Sequence, residues 1–352
     1  MKKQIVTIAA LAMSLNMFAQ QWPVPNQEAK PGTRWWWLGS AVTENDLKWN
    51  LRQFADHGIG AIEITPIYGV QGNEKNNIPF LSPRYMDILK YVNAECKADG
   101  IEFDMATGTG WPFGGPWVPL DESASQMLII DTTVVGKKIK ALDLRPIEKK
   151  RKNTTLVGIY AFSEGKFLKI TTPLVEGTLT TKLPSKGTWR IIALYQKKGV
   201  MAVKRAAPGG AGLVIDHFDK QAVTNYLKHI EEAFEKTGTP YPHTFFNDSY
   251  EVSESDYTPT LFQEFYNRRG YSLEENFDKL VDGDTKVVAD YRETLGDMLL
   301  DNFTRTWTAW AHSHGAITRN QAHGSPANLI DCYAAVDIPE IEGFGLTNFG
   351  IK

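Results

Sequence analysis

The 352-residue chain contains two cysteines, Cys96 and Cys332, too few for a disulfide framework and without zinc-finger spacing. Cys96 falls in a predicted helix and reads as a small buried side chain. Charge of one sign is also scarce. With 38 Lys and Arg against 41 Asp and Glu, the net charge of −3 offers no basic field for nucleic acid. Beyond the N-terminal segment no apolar run is long enough to span a bilayer. Residues 5–18 are apolar but broken by Ser14 and Asn16; with Lys2 and Lys3 before them and Ala19 after, they predict a secretion signal, residues 1–19, cleaved near Ala19. No cysteine near the cut invites a lipid anchor, so the expectation is an exported protein, periplasmic or extracellular, with no transmembrane segment. The glycine-rich stretch GTGWPFGG has Phe113 where a dinucleotide fingerprint needs its third glycine. The first strand, WWWLG, has no His-x-His pair, which argues against catalytic zinc and a metal-dependent hydrolase.

What is present is repeated strand-helix grammar. Apolar strand runs are predicted at residues 34–39, 60–68, 101–107, 212–218, 243–249, 316–324 and 337–345. Helices between them carry local signals: Thr43 caps one in which Leu47, Leu51 and Phe54 share a face, Ser82-Pro83 opens the next and Asp99-Gly100 closes it. A further helix starts at Asp219, and a long one runs from near Val287 to His314. Between residues 123 and 207 the helical period vanishes and short strands follow one another, predicting a small inserted all-β domain. The fold class expected is α/β: a (β/α)8 TIM barrel, its first part in residues 20–122 and its second in 208–352. Seven strands are one short of closure, which predicts a barrel truncated after the seventh strand, with an open sheet edge.

In such a barrel the chemistry sits at the C-terminal strand ends. The polar groups predicted there are Glu63, Asp104, Asp216 and His217, Asn247 and Asp248 through Glu251, Asn320 with Gln321 and His323, and Glu340 with Glu342. Glycoside hydrolysis needs one carboxylic acid to protonate the leaving oxygen and a second carboxylate to activate water or attack the sugar. Glu251 and Glu342 are the candidate pair, with Glu340 as the alternative to Glu342. Trp35 and Trp37 face one way by alternation, and with Trp111 they are candidate stacking surfaces for a sugar. Calcium held by Asp and Glu oxygens needs no diagnostic spacing and stays open, as does a carbohydrate-binding protein without catalysis.

The runs PGTRWWWLGSAVTENDL, GIGAIEITPIYG, FDMATGTGWPFGGPWV, FFNDSYEV with FQEFYNRRGYSL, and QAHGSPANLIDCYAAVDIPEIEGFG together resemble glycoside hydrolase family 106, the α-L-rhamnosidases. The resemblance implies an exported, inverting α-L-rhamnosidase that removes rhamnose from plant polysaccharide side chains such as those of pectin. It implies Glu251 of NDSYEV as general acid, a glutamate of PEIEGFG as general base, a calcium ion near the site, and β-sandwich domains following the barrel in longer members. Inversion implies carboxyl groups roughly 6.5–9.5 Å apart.

Overall fold

In the computed structural model, which describes residues 25–341, the first strand-helix units form where the capping residues lie. They are β1 (Gly32–Leu38), α1 (Glu44–Asp56), β2 (Ala61–Ile67), α2 (Pro83–Asp99) and β3 (Glu102–Ala106). Thr43 accepts from the Asp46 N–H at 3.3 Å and donates to its carboxylate at 2.7 Å, satisfying an otherwise orphaned donor at the start of α1. Ser82 accepts from the Tyr85 N–H at 3.3 Å, with Pro83 in the first turn of α2, and Gly100 ends that helix at φ 67. Leu47 and Leu51 are buried, and Phe54 packs edge-on to Trp35.

The chain continues through β4 (Gly114–Gly115), then β5 (Ser125–Val135), β6 (Lys138–Asp143), β7 (Thr154–Ser163), β8 (Lys166–Ile170), β9 (Thr178–Lys182) and β10 (Thr188–Lys198). No helix longer than a single 3-10 turn interrupts that stretch, as its lack of helical period predicts. β5, β10, β7 and β8 make a four-stranded antiparallel sheet, and β6 pairs with β9. One side of the sheet closes over its own core of Leu128, Ile159, Ile191 and Tyr195. Tyr160 on the other side joins the main core against Phe277, and its hydroxyl donates to Glu274 at 2.9 Å.

After β11 (Leu213–Val214) come α3 (Lys220–Thr237), β12 (Thr244–Asn247), α4 (Leu261–Arg269), α5 (Thr285–Met298), α6 (Arg305–Ser313), β13 (Ile317–Asn320) and β14 (Ile338–Pro339). The predicted long helix is α5 and α6 joined by a π-helical turn, Leu299–Thr304. That turn brings Asn302 to donate to the Phe218 carbonyl at 2.7 Å and Phe303 against His217.

The central sheet is parallel, in the order β1-β2-β3-β12-β13-β14. Six strands, not seven, enter it among the described residues, and they do not close into a barrel; what stands is a mixed α/β fold around an open parallel sheet. The strand predicted at 212–218 is the one that stays out. β3 pairs directly with β12, Asp104 opposite Thr244, leaving no place between them. β11 pairs instead antiparallel with β4, Leu213 opposite Gly115. The reason is a close backbone approach that only glycine permits: a Cβ on Gly212 would stand 2.0 Å from the Gly115 carbonyl, and one on Gly114 would stand 2.4 Å from the Leu213 oxygen. Of the last predicted strand, 337–345, Ile338–Pro339 is the paired part among the described residues, and its final four residues lie outside them.

The predicted signal segment 1–19 also lies outside the described residues. No helix among those described is long and apolar enough to cross a membrane. Cys96 and Cys332 are free thiols in buried positions, and burial pushes the Cys96 thiol up to about 12.

Candidate functional site

Strand alternation sorts the tryptophan triplet. Trp37 is 1% exposed and meets Tyr85 of α2 edge-on at 6.3 Å, while Trp35 meets Phe54 of α1 at 5.4 Å. Both belong to sheet-to-helix packing, which corrects their assignment as a sugar platform: they share a phase, and that phase faces the helices. Trp36, the residue between them, faces the other way, is 40% exposed, and lies 6.5 Å from the Trp111 ring.

On the Trp36 side of the sheet, the parallel register sets Arg34 opposite Glu63, Glu63 opposite Asp104, and Phe246 opposite Arg319. Both guanidinium groups stand over the Phe246 ring, Arg34 at 4.5 Å and Arg319 at 5.1 Å. Arg34 Nε is 3.0 Å from Glu63 Oε1 and its Nη1 3.2 Å from Asp248 Oδ2. Arg319 pairs with Glu63 Oε2 through Nη2 and with Glu340 Oε2 through Nε at 3.0 Å. Gln321 donates to Glu340 Oε1 at 2.8 Å, and Thr65 donates to Glu63 at 2.6 Å. Glu63 is 2% exposed; burial pushes its carboxyl upward, and the pull of Arg34, then Arg319, then the Thr65 hydroxyl only partly offsets it. An open cleft of about 360 Å³ lies over this layer, lined by Arg34, Glu63, Arg319, Gln321 and Glu340.

Glu63 and Asp104 were expected at strand ends, touching substrate. Each is instead the third residue of its strand, below the rim: Glu63 is held between two arginines, and Asp104 lies 3.6 Å from His243 Nδ1 and 3.9 Å from Arg319. They organise the arginine layer. Asn247 and Asn320, paired across β12 and β13, are both buried, the Asn247 amide donating to Asn320 at 2.7 Å. His323 is exposed on the loop after β13, and its carbonyl accepts from Tyr250 N–H at 2.8 Å.

Asp216 and His217 are a further correction. Because β11 stays out of the parallel sheet, neither lies at the end of one of its strands; both are buried, His217 against Phe113 and Tyr250 of the loops that follow β3 and β12. The His217 ring lies 4.6 Å from Phe303 and 5.3 Å from Tyr250, with Nδ1 3.0 Å from the Ile215 carbonyl; burial lowers it to about 3, so it is neutral. Burial raises Asp216 to about 7, against the N–H donated by Phe218 at 3.0 Å. A raised carboxyl contributes its full stability below the ordinary carboxylate range and loses it as pH rises toward the folded value. Between pH 4 and 6 the wild type therefore loses roughly 2 kcal/mol through this group, and Asp216→Asn flattens that slope in urea melts; an unchanged slope refutes the account.

Glu251 lies on the loop that follows β12. Lys204 Nζ stands 2.6 Å from Glu251 Oε2, and the Ser249 hydroxyl donates to Oε1 at 3.2 Å. Burial pushes the carboxyl up, but Lys204 foremost, then the nearby Trp111 indole and Ser249, outweigh it, leaving Glu251 below the usual carboxylate range. Among the described residues the Trp111 N–H has no partner of hydrogen-bonding geometry. Ser249 also reaches Asp248 at 3.5 Å, Asp248 pairs with Arg34, and Arg34 Nη2 lies 3.9 Å from Glu340. An unbroken polar chain thus runs from Glu251 through Ser249, Asp248 and Arg34 to Glu340. Glu342 lies outside the described residues.

The residues that sequence reasoning passed over are Arg34, Arg319, Trp36 and Lys204. Arg34 and Arg319 had a signal: each is a cation inside an apolar strand, a place where an unpaired charge is costly and a carboxylate partner must be found.

Glu63, Asp104, Asp248 and Glu340 each face a guanidinium group, and among the described residues no three His, Cys, Asp or Glu side chains are grouped to hold an ion.

The family model Glyco_hydro_106, described as alpha-L-rhamnosidase, matches residues 23–154 and 161–340. A curated relative from Formosa agariphila, named "Putative beta-glucuronidase", is 24% identical over 367 residues, covering 89% of this chain and 31% of its own. The rhamnosidase from Novosphingobium sp. PP1Y superposes with a TM-score of 0.66 at 15% identity, over 89% of this chain and 48% of that one. At that identity the likeness carries the fold alone. The chain spans about a third of the curated relative and about half of the rhamnosidase structure.

Proposed function

The chain belongs to glycoside hydrolase family 106, and from that premise we propose that it carries the catalytic carboxylates of an exported, inverting α-L-rhamnosidase acting on plant polysaccharide side chains. The observation that carries this reading is the polar chain from Glu251 to Glu340 along the ends of β12 and β14. Glu251, on the more exposed rim, serves as the acid that protonates the leaving oxygen. A carboxylate of the segment after Pro339, Glu340 or Glu342, serves as the base that draws a proton from water on the opposite face of the sugar. The chemistry balances without a cofactor: water adds to the anomeric carbon, the glycosidic C–O bond breaks, and the leaving oxygen takes the proton of Glu251. Arg34, held over Phe246 and bound to Glu63, ion-pairs with Asp248 at 3.2 Å and faces Glu340 at 3.9 Å, and so holds both in place.

The decisive experiment follows rhamnose release from rhamnosyl disaccharides by proton NMR, on the natural full-length protein. The reading expects the first-formed rhamnose to carry the anomeric configuration opposite to that of the substrate. No release of rhamnose, or a first product of retained configuration, rejects it. Aryl β-glucuronides belong in the same assay, because the curated relative is named for that activity.

The ion pair with Lys204 sets a pH dependence. Glu251 must be protonated to donate, and Lys204 favours its ionised form. Lys204→Met removes that pull, so the descending limb of kcat/KM against pH moves to higher pH. A limb that stays in place or moves down rules Glu251 out as the titrating acid.

A further inference from the structure

The rim holds two guanidinium groups in opposite circumstances. Trp36, Trp111 and Tyr68 form a partly exposed aromatic wall, closed at one end by Arg34 and at the other by Arg205. Arg34 Cζ is 5.2 Å from the Trp36 ring, Trp36 and Trp111 are 6.5 Å apart, and Arg205 Cζ is 5.5 Å from Trp111 and 5.8 Å from Tyr68. Arg34 is neutralised by Glu63 at 3.0 Å and Asp248 at 3.2 Å, and Lys204 by Glu251 at 2.6 Å. Arg205 is exposed and, among the described residues, has no carboxylate in ion-pair range; the polar partner of its guanidinium is the Tyr68 hydroxyl, 3.1 Å from Nη1.

Its backbone is nevertheless firmly placed. Lys204 and Trp111 exchange backbone hydrogen bonds at 2.8 and 3.1 Å, and the Arg205 carbonyl accepts from the Tyr68 N–H at 3.1 Å. Arg205 itself is held at φ 54, a left-handed conformation unfavourable for a side-chain-bearing residue. An uncompensated cation pinned between two rings is a receptor for an anion that also has an apolar face. A sugar acid has both: C–H faces that stack on aromatic rings and a carboxylate that matches the guanidinium fork.

We propose that Arg205, with Trp111 and Tyr68, forms the acceptor-side subsite of this enzyme, and that it takes a uronic acid bearing the rhamnosyl group that is cleaved. The side of the bond follows from Glu251: the acid abuts the leaving oxygen, and Arg205 adjoins the lysine bound to that acid. A neutral acceptor leaves Arg205 to water and gains nothing from it. This assignment rests on the rhamnosidase reading for its position on the substrate, but not for the carboxylate preference itself.

Two thio-linked rhamnosyl disaccharides, which resist cleavage, separate the two claims when titrated calorimetrically into the natural full-length protein. One carries a uronic acid on the acceptor side and the other the matching hydroxymethyl sugar. The uronate binds at least tenfold tighter to wild type, Arg205→Gln brings the two within about twofold, Arg205→Lys keeps part of the preference, and added salt reduces it. Equal affinities in wild type, or a preference that survives Arg205→Gln, overturns the proposal. Cleavage of an aryl β-glucuronide in place of rhamnosides also overturns it, by putting the uronate on the wrong side of the bond. Retained carboxylate preference with no rhamnose release sinks the rhamnosidase reading and leaves Arg205 as the anion receptor.

Discussion

Glu251→Gln lowers kcat on a rhamnosyl disaccharide by about a thousandfold, within the range that a positioned general acid contributes. The loss is smaller on a nitrophenyl rhamnoside, because a phenolate of low basicity departs with little help from a proton while a sugar alkoxide does not. Folding is an easy control. The Glu251–Lys204 pair is more than 40% exposed on both sides, and such a pair contributes about 0–1 kcal/mol, so the melting temperature scarcely changes. Turnover near wild type on the disaccharide removes Glu251 as the acid. An equal loss on both leaving groups does the same, since it points to disturbed binding of the rhamnosyl unit and not to missing proton transfer.

Arg319→Met destabilises the chain by about 3–5 kcal/mol, the cost of leaving a buried charge short of its partner. Glu63 then keeps Arg34 alone, while Asp104 and Glu340 lose their share of the Arg319 guanidinium. Its carboxyl, raised already by burial, rises further and is neutral at a higher pH. Adding Glu63→Gln to Arg319→Met recovers part of the loss, because the stranded charge is gone. The measurement is a double-mutant cycle in urea, with Glu63→Gln as the other single variant. A loss below about 1 kcal/mol for Arg319→Met, or strict additivity in the cycle, shows that the arginine layer is not a coupled unit. Because the same layer fixes Asp248 and Glu340, a stable Arg319→Lys variant is also expected to lose activity: a point charge cannot serve Glu63 and Glu340 with the geometry of a planar fork.

Particular residues show how far the chain could be read in advance. Thr43, Ser82 with Pro83, Gly100 and Asp219 all cap the helices they announce, because a cap is a hydrogen bond within a few residues and needs nothing from the rest of the fold. The missing helical period of residues 123–207 likewise gives strands. Alternation is local and sorts the tryptophan triplet into two faces, but which face meets the helices is decided by α1 and α2, and so Trp35 and Trp37 pack there while Trp36 lies exposed beside Trp111. The run at 212–218 reads as a barrel strand because its composition is that of one. Gly212, Gly114 and Gly115 give it a closer partner elsewhere, and Asp216 and His217 are buried with it.

The amino-acid sequence alone determines most of the strand and helix segments and the caps at which α1, α2 and α3 begin, because hydrogen-bonded caps and alternating polarity act over a few neighbours. The tertiary structure decides the register that sets Arg34 against Glu63 and Arg319 against Phe246, the exclusion of β11, and the pairing of Glu251 with Lys204. Those outcomes depend on desolvation and on charges brought together from segments far apart in the chain, and neither quantity exists until the segments meet.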